Sequence, residues 1–388
     1  MLMFIWPIAY GIPAPANLNS LFQQAIHDHA FPGGCVIAGT KNRIMVQRCF
    51  GNHSYGTDYA DKLDDLFDLA SLTKVIGTTT AIMQLQEQHR LKLSDKVDHY
   101  LPEFSGPTKL NRKLKATITI EDLLRHRSGL PESNPVDRMT HASQSARWAC
   151  LYQTPLQHYP RRKMIYSDIN FLLLGKIVER ISGQSLDAYL DCHVFRPLKM
   201  THTSFHPAEK FCKIIPTYSP KQVGIVHDPV ARSLGGVCGH AGLFSTVTDL
   251  QHFAQMILNG GQYQGTRILQ EKTLGIFSRH DDLLSDSTRL LGWDSVYRPS
   301  STKMPRQFSA GFYSDANAIG HTGYTGTSLW VSREQGVYVI LLTNRVFDNP
   351  DPSHRPRDRY WRQQITSAVW RNLGFQKQNG VYHELRLR

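Results

Sequence analysis

The sequence predicts an α+β fold in which an antiparallel sheet is flanked by helices and interrupted by an inserted helical domain. Three observations carry this. Near the start, two apolar runs at 34–39 and 44–50 flank the polar Thr40-Lys41-Asn42-Arg43 and read as strand, turn, strand. Near the end, β-rich runs at 327–331 and 337–343 flank Arg333-Glu-Gln-Gly336 and read as a hairpin. Between these ends the apolar residues follow helical spacing. Strands at both termini with helices between them place an α/β sandwich domain on residues 17–88 plus 288–375, around a mainly helical domain at 89–287. Residues 376–388 are left as a tail. At about 150 residues per domain, the 388-residue length agrees with two units.

The elements follow in order. Residues 2–12 are apolar and uncharged, and Ala14-Pro15-Ala16 has the small-x-small pattern of a signal-peptidase site, so 1–16 read as a signal peptide and the protein as periplasmic or secreted. After Ser71, the residues Leu72, Val75, Ile76, Thr79 and Met83 recur at 3.6-residue spacing and predict a helix with one buried face. Thr119-Ile-Glu-Asp122 is a capping box opening a short helix that is expected to end at Gly129, before Pro131. An apolar helix over 171–181 stops at Gly183, and Ser185 caps the next. Thr246-Val-Thr-Asp249 opens another, which stops at Asn259-Gly-Gly261. The stretch 347–358 is read as a loop and 361–373 as a closing helix. No internal repeat is visible.

Hydrophobic content of 41% and charged content of 20% exclude wholesale disorder. No apolar run reaches about 18 residues, so no integral membrane segment is expected. Forty-four Lys and Arg against 32 Asp and Glu give a net charge of +12, which suits an anionic partner such as a wall polymer. The basic residues are scattered apart from a modest cluster at 355–362, and no nucleic-acid-binding pattern accompanies them. Among the 18 histidines, His202 and His206 have no carboxylate or cysteine at ligand spacing, so neither a metal nor another cofactor is expected. Of the six cysteines, Cys35 and Cys49 are equidistant from Asn42 and can face each other across the first hairpin. The alternative is buried free thiols.

The sharpest chemical signal is Ser71-Leu-Thr-Lys74. Residues three apart at the start of a helix share a face, so Lys74 can reach the Ser71 hydroxyl. A serine needs a base, and a lysine whose pKa burial has lowered can help. Tyr166-Ser167-Asp168 and His321-Thr322-Gly323 follow in the chain, each just before a regular element. This order resembles the serine β-lactamase and penicillin-binding-protein superfamily, and the Tyr-x-Asp form resembles its class C-like branch. Supporting pieces are Phe31-Pro-Gly-Gly34, the segment 123–131 and Pro197-Leu-Lys-Met200. The segments 226–231 and 234–246, together with 321–327 and 343–346, are similar to exo-acting N-acetylmuramyl-L-alanine amidases.

The resemblance implies an acyl-enzyme on Ser71, with Lys74 and Tyr166 sharing proton transfer in an order that sequence leaves open. It implies an oxyanion hole from the N–H groups of Ser71 and Tyr324. His321, Thr322 and Gly323 would line an edge strand against which substrate lies, and Asp168, His227, Asp228 and His240 would belong to the substrate cleft. The expected activity is that of a serine hydrolase cutting muropeptides between N-acetylmuramic acid and L-alanine. D,D-carboxypeptidase, carboxylesterase and a low-turnover penicillin-binding scaffold are the alternatives. The expected partners are peptidoglycan fragments or a small ester or amide. Two departures argue against a dedicated β-lactamase. Asp168 stands where lactam-binding members usually have Asn, and an ionised carboxylate can only accept. His321 stands where many of them have Lys.

Overall fold

The computed structural model describes residues 17–207, 213–221, 223–280, 283–284, 287–296, 308–347 and 355–375. The expected leader at 1–16, the tail at 376–388 and Cys212 lie outside them.

The strands, in chain order, are β1 (Gly33–Thr40), β2 (Ile44–Gly51), β3 (Phe67–Asp68), β4 (Phe244–Ser245), β5 (Gln262–Tyr263), β6 (Thr266–Arg267), β7 (Asp294–Ser295), β8 (Ile319–Thr322), β9 (Ser328–Ser332) and β10 (Val337–Thr343). Six of them form one antiparallel sheet in the order β2-β1-β10-β9-β8-β7, so the two ends of the chain meet where β1 pairs with β10. Both hairpins read from the sequence are present. β1 and β10 are continuous apolar runs because both of their faces are covered. Val36, Ala38, Val339 and Leu341 pack with Phe22, Ile365 and Trp370 of the terminal helices Leu18–His27 and Arg355–Asn372. Cys35, Ile37, Ile340 and Leu342 face the larger core, which runs on into the helical body. The helix Val247–Leu258, from the middle of the chain, packs on β1, β9 and β10.

Local signals fall where the sequence places them. Thr119 and Asp122 form a reciprocal capping box, Asp168–Ser182 ends at Gly183, and Thr246 caps Val247–Leu258 through the Asp249 N–H. Three expectations are corrected. The helix after Thr119 is only Ile120–Leu124, because Arg125 leaves the helical region and His126 takes a positive φ of 56°. The closing helix starts at Arg355, inside the expected loop, because a proline is tolerated in a first helical turn. The segment after Ser71 is buried on every side rather than on one face.

The Cα register pairs Cys35 with Cys49, and the two form a disulfide. In the chain-entropy account, closing a span of 14 residues is worth about 3 kcal/mol. Cys49→Ala, or reduction, is therefore expected to lower the thermal midpoint by several degrees. Scanning calorimetry with and without dithiothreitol checks this, and an unchanged midpoint together with two free thiols in a non-reducing peptide map would refute it.

Candidate active site

Ser71 lies in a single 3₁₀ turn, Ala70–Leu72, that follows β3. Ala70 has φ 45°, a left-handed conformation rare for a residue with a Cβ, and such strain persists only where the surroundings enforce it. Here they do. The Ala70 N–H donates to Asp68 Oδ1 at 2.9 Å. Thr325 and Thr327 donate their hydroxyls to the carbonyls of Asp68 and Leu69 at 2.6 and 3.0 Å. Gly323 makes that approach possible, since a Cβ there would stand 2.4 Å from the Leu69 carbonyl oxygen. Burial pushes the Asp68 carboxyl up to about 6, against the N–H groups of His227 and Ala70.

The chain beyond Ser71 does not form the expected amphipathic helix. Lys74–Thr79 is a π-helical segment continuing into the α-helix Thr80–Glu87, and every residue from Lys74 to Leu85 is buried. Some of the polar residues here have specific partners: Thr78 donates to the Gly239 carbonyl at 2.7 Å, Thr80 donates to the Val75 carbonyl at 3.0 Å, and Thr73 Oγ1, just before the run, accepts from the Leu243 N–H at 3.2 Å.

Lys74 is fully buried, and three groups meet its ammonium, one local and two from distant parts of the chain. It donates to Ser71 Oγ at 2.9 Å and to the His240 carbonyl at 3.0 Å, and it forms an ion pair with Asp168 Oδ1 at 2.7 Å. Burial pulls the Lys74 pKa down, but Asp168 and Tyr166 outweigh it and raise the group above its ordinary 10.5. This reverses the expectation of a lysine lowered by burial. It also changes the reading of Asp168, one of whose oxygens is engaged by Lys74.

The Tyr166 ring lies among four other groups. Lys74 Nζ is 5.0 Å from its centroid, the Arg289 guanidinium 4.7 Å, and the His126 and His321 rings 4.6 and 5.9 Å. Arg289 donates to His321 Nε2 at 2.8 Å and pairs with Asp294 at 3.1 Å. Arginine offers only donors, so His321 Nε2 accepts, and its Nδ1–H donates to the Thr322 carbonyl at 2.8 Å. Burial, Arg289 and Lys74 hold His321 well below the ordinary imidazole value. His126 is lowered in the same way and accepts the Ser167 N–H on Nδ1 at 3.0 Å. β8 is not an edge strand along its whole length, as β7 covers Ile319 and Gly320 but not His321 or Thr322.

Tyr324 is 37% exposed, with Arg345 over its ring at 4.4 Å and the His227 ring stacked at 5.4 Å. The His227 N–H donates to Asp68 Oδ2 at 2.7 Å, and burial lowers its imidazole to about 4, against the pull of Asp228. Asp228 caps the helix Pro229–Ser233 and accepts from His240 Nε2 at 2.9 Å. Burial opposes the Asp228 charge, but His240 and the Ala231 N–H hold the carboxyl well below the usual range. Asp168, Asp228 and His240 bring ligand-type atoms within 4.8 Å of one another, and the cation serving this group is Lys74. The motifs in the sequence therefore locate Ser71, Lys74, Tyr166 and the 321–324 segment. They miss Arg289, and they leave without a role both His126, inside the supporting segment 123–131, and Asp68, three residues before Ser71.

This arrangement provides a serine hydroxyl touching a fixed ammonium, with a phenol beside that ammonium and with His126, His227 and His321 held toward the neutral state. The family model described as Beta-lactamase matches residues 18–361, and the chain belongs to that family. It is a serine hydrolase. The chain is 32% identical to the N-acetylmuramyl-L-alanine amidase of Bacillus subtilis (strain 168) over 357 residues, covering 81% of this chain and 77% of that one. A Salmonella enteritidis PT4 (strain P125109) protein whose name assigns it to the D-alanyl-D-alanine carboxypeptidases is 29% identical, over 85% of this chain and 82% of its own. Among solved structures, EstCE1, a hydrolase with promiscuous acyltransferase activity, superposes with a TM-score of 0.73 at 20% identity, covering 91% and 97% of the two chains. The octameric penicillin-binding protein homologue from Pyrococcus abyssi gives 0.67 at 19% identity, covering 88% and 75%.

The Lys74–Asp168 pair makes a pH-dependent prediction. A lysine raised in the fold adds stability below its unfolded value of 10.5 and loses it as pH climbs through the higher folded value. Removing one partner of a fully buried pair costs about 3–5 kcal/mol, and the Asp168 side chain is 29% exposed, so Asp168→Asn is expected to cost about 2 kcal/mol near neutral pH. The gap to wild type should narrow above 10.5. Urea midpoints on both sides of that value measure it, and a gap that stays constant or widens would contradict the pairing.

Proposed function

We propose that this protein is an exported amidase that releases the stem peptide from muropeptides by cleaving between N-acetylmuramic acid and L-alanine. The observation that carries the reading is the state of His321. Its two ring nitrogens are engaged by Arg289 and the Thr322 carbonyl, so it offers no N–H to the terminal carboxylate that a D,D-carboxypeptidase substrate carries beside its scissile bond. An internal muramyl–alanine amide has no such carboxylate. Similarity to the Bacillus subtilis amidase supports the same choice. The Cys35–Cys49 bridge and the charge of +12 suit an oxidising compartment and an anionic wall polymer.

In this reading Ser71 Oγ attacks the lactyl carbonyl carbon. Lys74, held as an ammonium, cannot take the departing proton, so in this proposal the proton passes to the Tyr166 oxygen reacting as a phenolate, an anion that the Lys74 ammonium beside it offsets. The oxyanion is received by the N–H groups of Ser71 and Tyr324. Tyr166 returns the proton to the alanine nitrogen as the C–N bond breaks, which leaves a lactyl ester on Ser71 and frees the stem peptide. Water then attacks the ester and gives its proton to Tyr166, and Ser71 leaves with that proton. Asp168 keeps Lys74 charged with one oxygen and presents the other to substrate N–H groups.

Incubation with a defined muramyl-peptide and mass analysis of the products tests this. The expected products are free muramic acid sugar and a peptide beginning with L-alanine, absent in Ser71→Ala. Tyr166→Phe should slow release by about two to four orders of magnitude. Loss of D-alanine alone would replace the amidase reading with the carboxypeptidase one. An active Ser71→Ala variant would remove the nucleophile itself.

A further inference from the structure

Away from Ser71, the segment between β2 and β3 gathers three buried ionisable side chains, His53, Asp61 and Asp65. His53 Nε2 lies 2.8 Å from Asp65 Oδ2, which also accepts the Lys62 N–H at 2.7 Å. Asp61 is 7% exposed, and both of its carboxylate oxygens are buried without a hydrogen-bond partner among the described residues. One ligand-type atom from each of the three lies within 4.8 Å of the other two. A buried carboxylate facing a second carboxylate without a donor is unfavourable by several kcal/mol, which this chain's own hydrogen bonds leave uncompensated at Asp61.

The surrounding backbone is built to admit that carboxylate. A Cβ on Gly33 would stand 2.3 Å from Asp61 Oδ2, so only glycine leaves the space it occupies. The segment is also fixed in place. The His53 N–H donates to the Tyr59 carbonyl at 2.8 Å and the Asp61 N–H to the Gly51 carbonyl at 3.2 Å. Asn344 donates to the His53 carbonyl at 2.8 Å, which ties the segment to the end of β10.

We propose that His53, Asp61 and Asp65 bind one divalent transition-metal ion of the zinc class, at a site separate from the hydrolase centre. One imidazole with two carboxylates is a nitrogen–oxygen set of the kind zinc accepts, whereas calcium takes six to eight oxygens. Ligand atoms around a tetrahedral ion at about 2.1 Å stand roughly 3.4 Å apart, so the His53–Asp65 contact opens slightly and Asp61 moves in by about 1 Å. The ion supplies the positive charge that Asp61 lacks. Because the segment runs through β3 into Asp68, it braces the approach to the Ser71 turn without touching the reacting groups.

The test uses the full oxidised chain, stripped with chelator, exposed to zinc, desalted and assayed for metal by mass spectrometry. The expected result is about one zinc per chain and a higher unfolding temperature than the stripped form. Asp61→Asn keeps the shape of the side chain and should lose the zinc while retaining the circular dichroism of the wild type, and His53→Gln should do the same. Asp228→Asn should retain it, which separates this site from the Asp168, Asp228 and His240 group. Zinc content in wild type no greater than in Asp61→Asn, or loss in Asp228→Asn alone, would overturn the proposal. Metal content is read independently of Ser71 turnover, so this result and the muropeptide result can fail separately.

Discussion

An ammonium group cannot be buried without several kcal/mol of penalty unless fixed partners meet it, and the cleft is assembled around that requirement at Lys74. Ser71 Oγ, the carboxylate of Asp168 and the carbonyl of His240 converge on one nitrogen from three separate parts of the chain. Each partner is itself held: Ser71 by the strained turn at Ala70, Asp168 at the first position of the helix Asp168–Ser182, and His240 through Asp228. The same charge acts on its neighbours. With Lys74 and Arg289 as fixed cations, the buried rings of His126 and His321 are driven to the neutral state. The neutral state of these two rings thus comes first from their own burial, and the Arg289 and Lys74 charges add to it.

How much of this was legible depends on the range of the interactions. The two hairpins, the capping box at Thr119 and Asp122, and the helix stops at Gly183 and Asn259 depend on contacts within a few residues, so their signals are written locally. Ser71-x-x-Lys74 was legible for the same reason. The charge state of Lys74 was not, because it depends on Asp168 and Tyr166, which the fold brings to it from far along the chain. The helical period after Ser71 suggested one apolar face, yet the segment is buried all round, with Thr73 and Thr78 bonded to the 239–243 backbone and Thr80 to the Val75 carbonyl. Arg289 belongs to no motif. Its meaning comes from Asp294 and His321, which are brought to it only by the sheet.

His53, Asp61 and Asp65 illustrate an intermediate case. They lie within 13 residues of one another, but on an irregular segment with no period to reveal a shared direction. What makes them a cluster is the absent side chain at Gly33, on the strand next to β2, and the anchoring by Asn344 after β10. Phe31-Pro-Gly-Gly34 was legible as a supporting motif without any indication of what its glycine makes room for.

The two departures at 168 and 321 stand in the sequence as independent changes, and the structure couples them. A carboxylate at 168 brings a negative charge to the Lys74 ammonium, so that position serves the charge state of the lysine as well as the cleft. At 321 the cationic side chain common among lactam-binding relatives is replaced by an imidazole, and the positive charge stands one side chain further back, at Arg289, where Asp294 neutralises part of it. The net effect is a cleft wall with an accessible carboxylate on one side and a neutral, fully engaged imidazole on the other. In the proposed reading such a wall disfavours a substrate with a carboxylate next to the scissile bond and favours one that brings N–H donors along an extended peptide. Of the two positions only 168 acts directly on the lysine charge, while both bear on substrate selection in the proposed reading.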